Sequence, residues 1–302
     1  MSWTVTQFLT DLATKLQVPD SNGAYSSTEF LRIADQVLWL EMEPLLQTVR
    51  EDYYVQTKDT TIVSGTGTYR IPDRAVGSKV RDVMVVNSTS GAEVSIPEIA
   101  PEDAWRYSSG GSSSWPNGTA YYFRGEHIVL LPTPSTSGYS LRVRYYLRRP
   151  RLDNGTYTTT VSALSSSTQI TVTAATSGMV LNGSIDIIRR KPYFDHLAID
   201  TTITAAAGNL LTIGTYSSDI AVGDIVAESG YTSVIPLPAE MYALLVTGTA
   251  IRVMQSRGDP AWQAEMGTYE RDKAAVRSLF APRNDGEAQR VINRSSPLRV
   301  GR

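Results

Sequence analysis

The sequence predicts an α+β protein in which a helical bundle is formed by N- and C-terminal helices, with β-sandwich-like insertions between them and an extended C-terminal arm. Three observations carry this prediction. Apolar residues recur at helical spacing before Tyr53 and again after Ile235, the period changes to two between those points, and nothing periodic remains after Ala281. Neither helical end can bury its apolar face alone, so the two must pack together although they lie far apart in the chain. The resulting segments are 1–55 (N-terminal helices), 56–152 (a β-domain), 153–235 (a second β-rich insertion), 236–282 (C-terminal helices) and 283–302 (the arm).

Thr4-Val-Thr-Gln7 reads as a capping box, followed by Val5, Phe8, Leu9, Leu12, Ala13 and Leu16 on one helical face. Pro19–Gly23 is a loop. Ser26-Ser-Thr-Glu29 opens a second helix through Phe30, Ile33, Ala34, Val37, Leu38 and Leu45. Pro44 lies inside that pattern and predicts a kink or break near Leu40, because proline removes a backbone donor and clashes one turn back. Strand patterns follow at Thr60–Ser64, Thr68–Ile71, Val80–Val86, Glu93–Ile96, Tyr121–Arg124, His127–Leu131 and Leu141–Leu147, bounded by Gly, Pro, Asn or Ser. Together they predict a sandwich or small barrel, with one short helix at Pro101–Trp105 and a flexible loop at Ser108–Ser114. Arg142, Arg144 and Arg148 fall on the outward face. Such alternation favours a solvated sheet face over a phosphate-binding one.

From Asp153 to Val234 the composition becomes rich in Thr, Ser, Ala and Gly. Gln169–Thr173 followed by Met179–Gly183 resembles Asn209–Ile213 followed by Ile220–Asp224, which suggests a duplicated β-hairpin unit. Ile235-Pro-Leu-Pro238 then leads into a helix apolar on nearly every face. Gly258-Asp259-Pro260 turns into a second helix, with Asp259 as N-cap, Pro260 at the first helical position and a stripe of Trp262, Met266, Tyr269, Val276 and Phe280.

The chain is 41% hydrophobic, 19% charged and carries a net charge of −2, so no whole-chain basic footprint for nucleic acid exists. No run of 18 apolar residues and no signal-peptide pattern occurs, which predicts a protein with no membrane partner. Without cysteine there is neither a disulfide nor thiolate chemistry. The search for catalytic constellations finds none, and the expectation is a protein that is not an enzyme and holds neither metal nor cofactor. His127 and His196 lack a metal-ligand spacing, Gly65-Thr-Gly67 reads as a turn, and Asp195 and Asp200 flanking His196 are too weak a pattern for a glycosidase.

The last segment is basic and cannot pack on itself. Arg290, Arg294, Arg299 and Arg302 are interspersed with Val291, Ile292, Leu298 and Val300, the pattern of either a passive tail or an arm that orders only on a partner.

Taken in order, Gly67-Thr-Tyr-Arg-Ile-Pro72, Val80-Arg-Asp-Val83, Tyr121-x-Phe-x-Gly125 into Ile128-x-Leu-x-Pro-x-Pro134, Leu141-x-Val-x-Tyr145, Val222-Gly-Asp224 and Ile235-Pro-Leu-Pro238 before the Leu244-Leu245 helix resemble the head-to-tail adaptor (connector) proteins of short-tailed bacteriophages. The insertion between Asp153 and Val234 departs from the pattern. The resemblance implies a structural virion protein at the head–tail interface, assembled in the host cytoplasm. Such a protein forms a homo-oligomeric ring of twelve copies that docks under the portal protein and extends the DNA channel. It also provides the attachment site for tail nozzle and fibre proteins. Phage DNA would pass through the lumen without sequence-specific binding, and the arm, through Arg290, Val291, Ile292, Arg294, Leu298, Arg299, Val300 and Arg302, would bind the portal. The alternative is a β-rich tail or fibre component that binds host glycan through exposed aromatics such as Trp115, Tyr121 and Tyr122.

Overall fold

The computed structural model describes residues 3–17, 26–49, 51–108, 115–116, 118–189, 194–214, 216 and 218–280. The expected loop at Pro19–Gly23 and most of the one at Ser108–Ser114 lie outside these residues.

Helix α1 (Val5–Leu16) starts on its capping box. The Gln7 amide donates to Thr4 Oγ1, and the Thr4 amide donates back to the Gln7 side chain. Helix α2 (Ser27–Val37) opens the same way on Ser26 and Glu29. The interruption expected near Leu40 takes the form of a change of helix type between two α-helical segments. The run continues through a π-helical turn, Leu38–Met42, into α3 (Glu43–Val49). In an α-helix the Pro44 ring would press on the Leu40 carbonyl. The wider turn, closed by the Glu43 amide on the Leu38 carbonyl, accommodates the proline. It also leaves Trp39 and Leu40 in solvent, 58% and 67% exposed.

A 3₁₀ turn leads into the β-domain: β1 (Val55–Thr61), β2 (Thr68–Arg70), β3 (Ala75–Asn87), β4 (Glu93–Ser95), the short helix α4 (Ala104–Ser108), β5 (Ala120–Arg124), β6 (His127–Leu131) and β7 (Tyr139–Leu147). Two antiparallel sheets, β1-β7-β3-β4 and β2-β6-β5, enclose one core. Val83, Val85, Leu141 and Val143 face Tyr69, Ile128 and Leu130 across it. Strand β1 begins at Val55, five residues before the alternating pattern suggests, because β7 offers a partner along its whole length, from Tyr146 to Ser140.

After β8 (Arg151–Leu152) comes the insertion: β9 (Thr158–Ser166), β10 (Gln169–Val172), β11 (Ser184–Arg189), β12 (Asp195–Thr202), β13 (Ala205–Ala207), β14 (Leu210–Thr212) and β15 (Ile225–Glu228), then β16 (Tyr231–Thr232). The sheet order is β12-β11-β15-β9-β10-β14-β13. Its two edges, β12 and β13, are one strand interrupted at Ile203-Thr204, so the sheet curls round until it meets itself. The two similar sequence segments are not side-by-side hairpins; they interlock. Ile170 pairs with Leu211 and Asp186 with Ala227, and both pairs join residues 41 apart in sequence (170 to 211, 186 to 227). That equality is what a two-fold axis through both pairs requires. The left-handed residues Asn182 and Gly223 are related by the same offset. Strands β8 and β16 run parallel as a two-stranded neck that closes the insertion at its base.

Beyond Ile235-Pro-Leu-Pro238, α5 (Tyr242–Arg257) is buried on nearly every face, and α6 (Trp262–Phe280) follows the Gly258 turn. Asp259 does cap this turn, accepting from the Ala261 amide, but the helix begins at Trp262 rather than Pro260. Tyr269 is the fully buried member of its stripe, whereas Met266 points outward. Helices α1, α2, α5 and α6 share one apolar core that includes Phe8, Leu12, Val37, Leu245 and Tyr269. Trp3 stacks on Tyr242 at 4.3 Å, and the Ile235 amide donates to the Trp3 carbonyl, which fixes the chain's start against its return. At Gly248 a Cβ would stand 3.0 Å from Val37 and 3.2 Å from the Tyr269 hydroxyl, so α2, α5 and α6 meet where only glycine fits without a shift.

Candidate functional site

The chemistry of this chain lies where its three packed units meet. Leu147-Arg148-Arg149-Pro150-Arg151-Leu152 runs from the β-domain past the helices into the neck, and arginines fasten both junctions. Arg149, with a side chain 7% exposed, reaches α2 and α3. Its Nη1 lies 3.3 Å from Asp35 Oδ1, its Nη2 donates to the Asp35 carbonyl, and its Nε stands 3.7 Å from Glu43. Asp35 also accepts the Leu152 amide, which ties the neck to α2. Burial pushes the carboxyls of both Asp35 and Glu43 up, against the opposing pull of Arg149. The junction is therefore held by a cation whose two anions are expensive to bury without it.

Arg74 fastens the β-domain to the insertion. It donates to Asp186 at 2.5 Å, lies 3.6 Å from Asp200 and donates to the Arg148 carbonyl. Asp186 is fully buried and accepts in addition from the amides of Asp200 and Gly230, so its charge is matched by a cation and two dipoles.

Beside this pair is a cleft of about 210 Å³ between β1, β7 and β12, lined by Lys58, Tyr145, His196 and Asp200. His196 is half-buried as a residue, but both ring nitrogens are shielded and neither finds a hydrogen-bond partner. Burial first, then the Arg74 charge, lowers its pKa to about 3, with Asp200 opposing weakly. The unfolded chain takes a proton near the ordinary value of 6.5 and the folded one resists until about 3. His196 thus subtracts from stability as pH falls below 6.5 and has no effect above it. At pH 5 this amounts to about 2 kcal/mol. Between pH 7.5 and pH 5 the wild type should therefore lose about that much more unfolding free energy in urea than His196→Leu. An equal loss in the two proteins would mean that the ring is solvated.

A second cavity of about 750 Å³ separates α2 from the neck, lined by Arg32, Trp39, Arg148, Arg151, Tyr157 and Tyr231 among others. Tyr157 and Tyr231 stack on each other at 4.3 Å.

The outward arginines of β7 behave differently from those at the junctions. Arg142 binds Asp59 and Glu93, and Arg144 lies 3.6 Å from Asp82. The hydrogen bonds that Arg142 donates to Asp59 are the main cause of its raised pKa. That face is neutralised internally and offers no anion site, whereas Arg148 turns into the groove. The remaining candidates disperse. His127 is exposed on β6, and Asp195 pairs with Arg189 rather than with His196. Tyr121 is 5% exposed and offers no open stacking face for a sugar, whereas Trp115, packed on the β-domain core, and Tyr122 are partly buried. Among the described residues, no three His, Asp or Glu side chains gather as a metal site and no helix is long and apolar enough to cross a membrane. Arg290, Val291, Ile292, Arg294, Leu298, Arg299, Val300 and Arg302 lie outside the described residues. Sequence reasoning missed Arg74, Arg149 and the groove, because their partners are 114 residues or nearly as far away along the chain and no local pattern announces them.

What the geometry displays is three packed units fastened to one another by buried ion pairs. The sequence model of the SU10 adaptor protein family matches residues 3–182, more than half of the chain. The chain belongs to that family and is a phage structural adaptor, a component of the virion that meets portal and tail proteins. The match ends inside the first copy of the interlocked insertion. A search of the curated proteins finds no match to the chain.

Proposed function

We propose that this protein is the head-to-tail adaptor of a short-tailed phage: a ring of twelve copies that docks under the portal, prolongs the DNA channel and offers its outer surface to tail nozzle and fibre proteins. The observation that carries the reading is the family match together with a helical core assembled from both ends of the chain. Such a core, a helical bundle in which α1 and α2 pack on α5, leaves the β-domain and the insertion as projecting bodies on one rigid base. DNA would pass through the lumen without sequence-specific contacts. The arm, residues 283–302, would make the portal contact through its arginines and apolar anchors. The glycan-binding alternative loses support from the burial of Tyr121.

Cryo-EM of the full chain mixed with its portal tests this directly. The expected particle carries a closed ring of twelve adaptors coaxial with the portal. Monomers that never associate with the portal, or copies scattered on a fibre or tail spike, would overturn the proposal.

A further inference from the structure

We infer that the groove between α2 and the neck receives an acidic segment, Glu98–Trp105, from a second copy of this chain. The inference rests on the ring reading above and names the surfaces that build the ring.

The groove lining sets Arg32, Arg148, Arg149 and Arg151 against Asp35 and Asp153, a cationic excess in a chain whose net charge is −2. Arg32, Arg148 and Arg151 are exposed there, and among the described residues none of them has a carboxylate within 4.0 Å. The contrast with Arg74, Arg142, Arg144 and Arg149 is informative, since each of those is held by at least one carboxylate. Trp39 overhangs the same groove at 58% exposure, turned outward by the π-helical turn that accommodates Pro44. Widened turns of this kind recur at functional sites, where they re-aim side chains. Cations beside an exposed indole define a site for a partner that brings both carboxylates and an aromatic or apolar anchor.

The chain carries such a partner on another of its units. Glu98 and Glu102 are exposed and, among the described residues, unpaired, and Trp105 is 66% exposed beside them. Asp103 is partly compensated by Arg106, which also lies over the Trp105 ring. Pro97 and Pro101 stiffen the segment, so little conformational freedom is lost on docking. The segment's α4 rests against β6, whereas α2 rests against α5 and β8, so donor and receptor belong to different bodies. A groove and a segment that are different patches of the same chain make a head-to-tail contact, the kind whose repetition builds a ring when the rotation per step closes and an open filament when it does not. Opposite charge at each step selects this register over like-charged alternatives.

The absence of cysteine allows a direct test. Full-length Arg151→Cys/Glu102→Cys, oxidised at concentrations where glutaraldehyde fixes wild-type multimers, should give a ladder of disulfide-linked species beyond dimers. Each single variant should stop at dimers. Reversal of the groove charges (Arg148→Glu/Arg151→Glu) should raise the concentration needed for assembly at least about tenfold. Adding Glu98→Arg/Glu102→Arg should restore it. Wild-type multimers without a ladder, or groove reversal with no effect on assembly, would overturn the inference and leave the ring reading standing. Loss of DNA retention with assembly intact would identify the groove as a nucleic-acid surface and also overturn it. If the wild type forms no multimer alone or with its portal, the ring reading itself falls.

Discussion

Arg149→Ala is expected to lower the unfolding free energy by about 3–5 kcal/mol, the usual result of removing one partner from a buried ion pair. The guanidinium stands between Asp35 on α2 and Glu43 on α3, and the Glu43 residue is 4% exposed. With the cation gone, two carboxyls already pushed up by burial lose the charge that pulls them down. Protonation then becomes the cheaper state. A carboxyl whose folded pKa is raised adds stability as pH falls through that pKa and withholds it above. The deficit of Arg149→Ala should accordingly be largest at pH 8 and shrink towards pH 5. Urea unfolding at both pH values checks the size and the sign together. Adding Asp35→Asn and Glu43→Gln should return part of the loss at pH 8. A loss below about 1 kcal/mol, or one that grows in acid, would mean that water already solvates the junction.

The parts of this fold that could be read from the sequence are those whose causes are local. Capping boxes at Thr4 and Ser26 mark the starts of α1 and α2, because the partner is three residues away. Period-two runs such as Leu141–Leu147 identify strands by the same logic, since alternation reports a two-sided sheet wherever it lies. Errors arose where a distant partner decided the outcome. Strand β1 extends back to Val55 only because β7 is there to pair with it, and Pro44 is accommodated by a π-helical turn. The duplicated segments of the insertion were visible as similar strings, but their interlocking depends on which strands pair across the axis. At the junctions the limit is starker. Arg74 finds Asp186 across 112 residues and Arg149 finds Asp35 across 114, and a lone arginine in a connector looks like any solvated charge. Arg142, Arg144 and Arg148 shared one pattern, yet the first two are neutralised by neighbouring strands while Arg148 opens into the groove.

Deleting residues 287–302 is expected to abolish stable association with the portal while leaving the rest of the protein folded. The helical core of the described residues is assembled by α1, α2, α5 and α6, so the change in unfolding free energy should stay within about 0.5 kcal/mol. The expected effect on assembly is far larger. Arg290, Arg294, Arg299 and Arg302 alternate with Val291, Ile292, Leu298 and Val300, a spacing that suits an extended peptide laid along an acidic groove. One such arm need bind with a dissociation constant of only about 100 μM, because in a ring the remaining arms act at roughly millimolar effective concentration once the first is seated. Each additional arm then multiplies the affinity by about ten, and a few arms suffice to make attachment irreversible on the time scale of assembly. Four Arg→Glu substitutions in the full-length chain should reproduce the deletion, since they reverse the charge without shortening the chain. Co-sedimentation with purified portal at 0.15 M and at 0.5 M salt separates the two contributions. Salt should weaken an arginine-driven contact, and the deletion should remove what remains. Truncated protein that co-sediments with portal as well as the intact chain does would show that the portal contact lies within residues 3–280 and that the arm has no part in it.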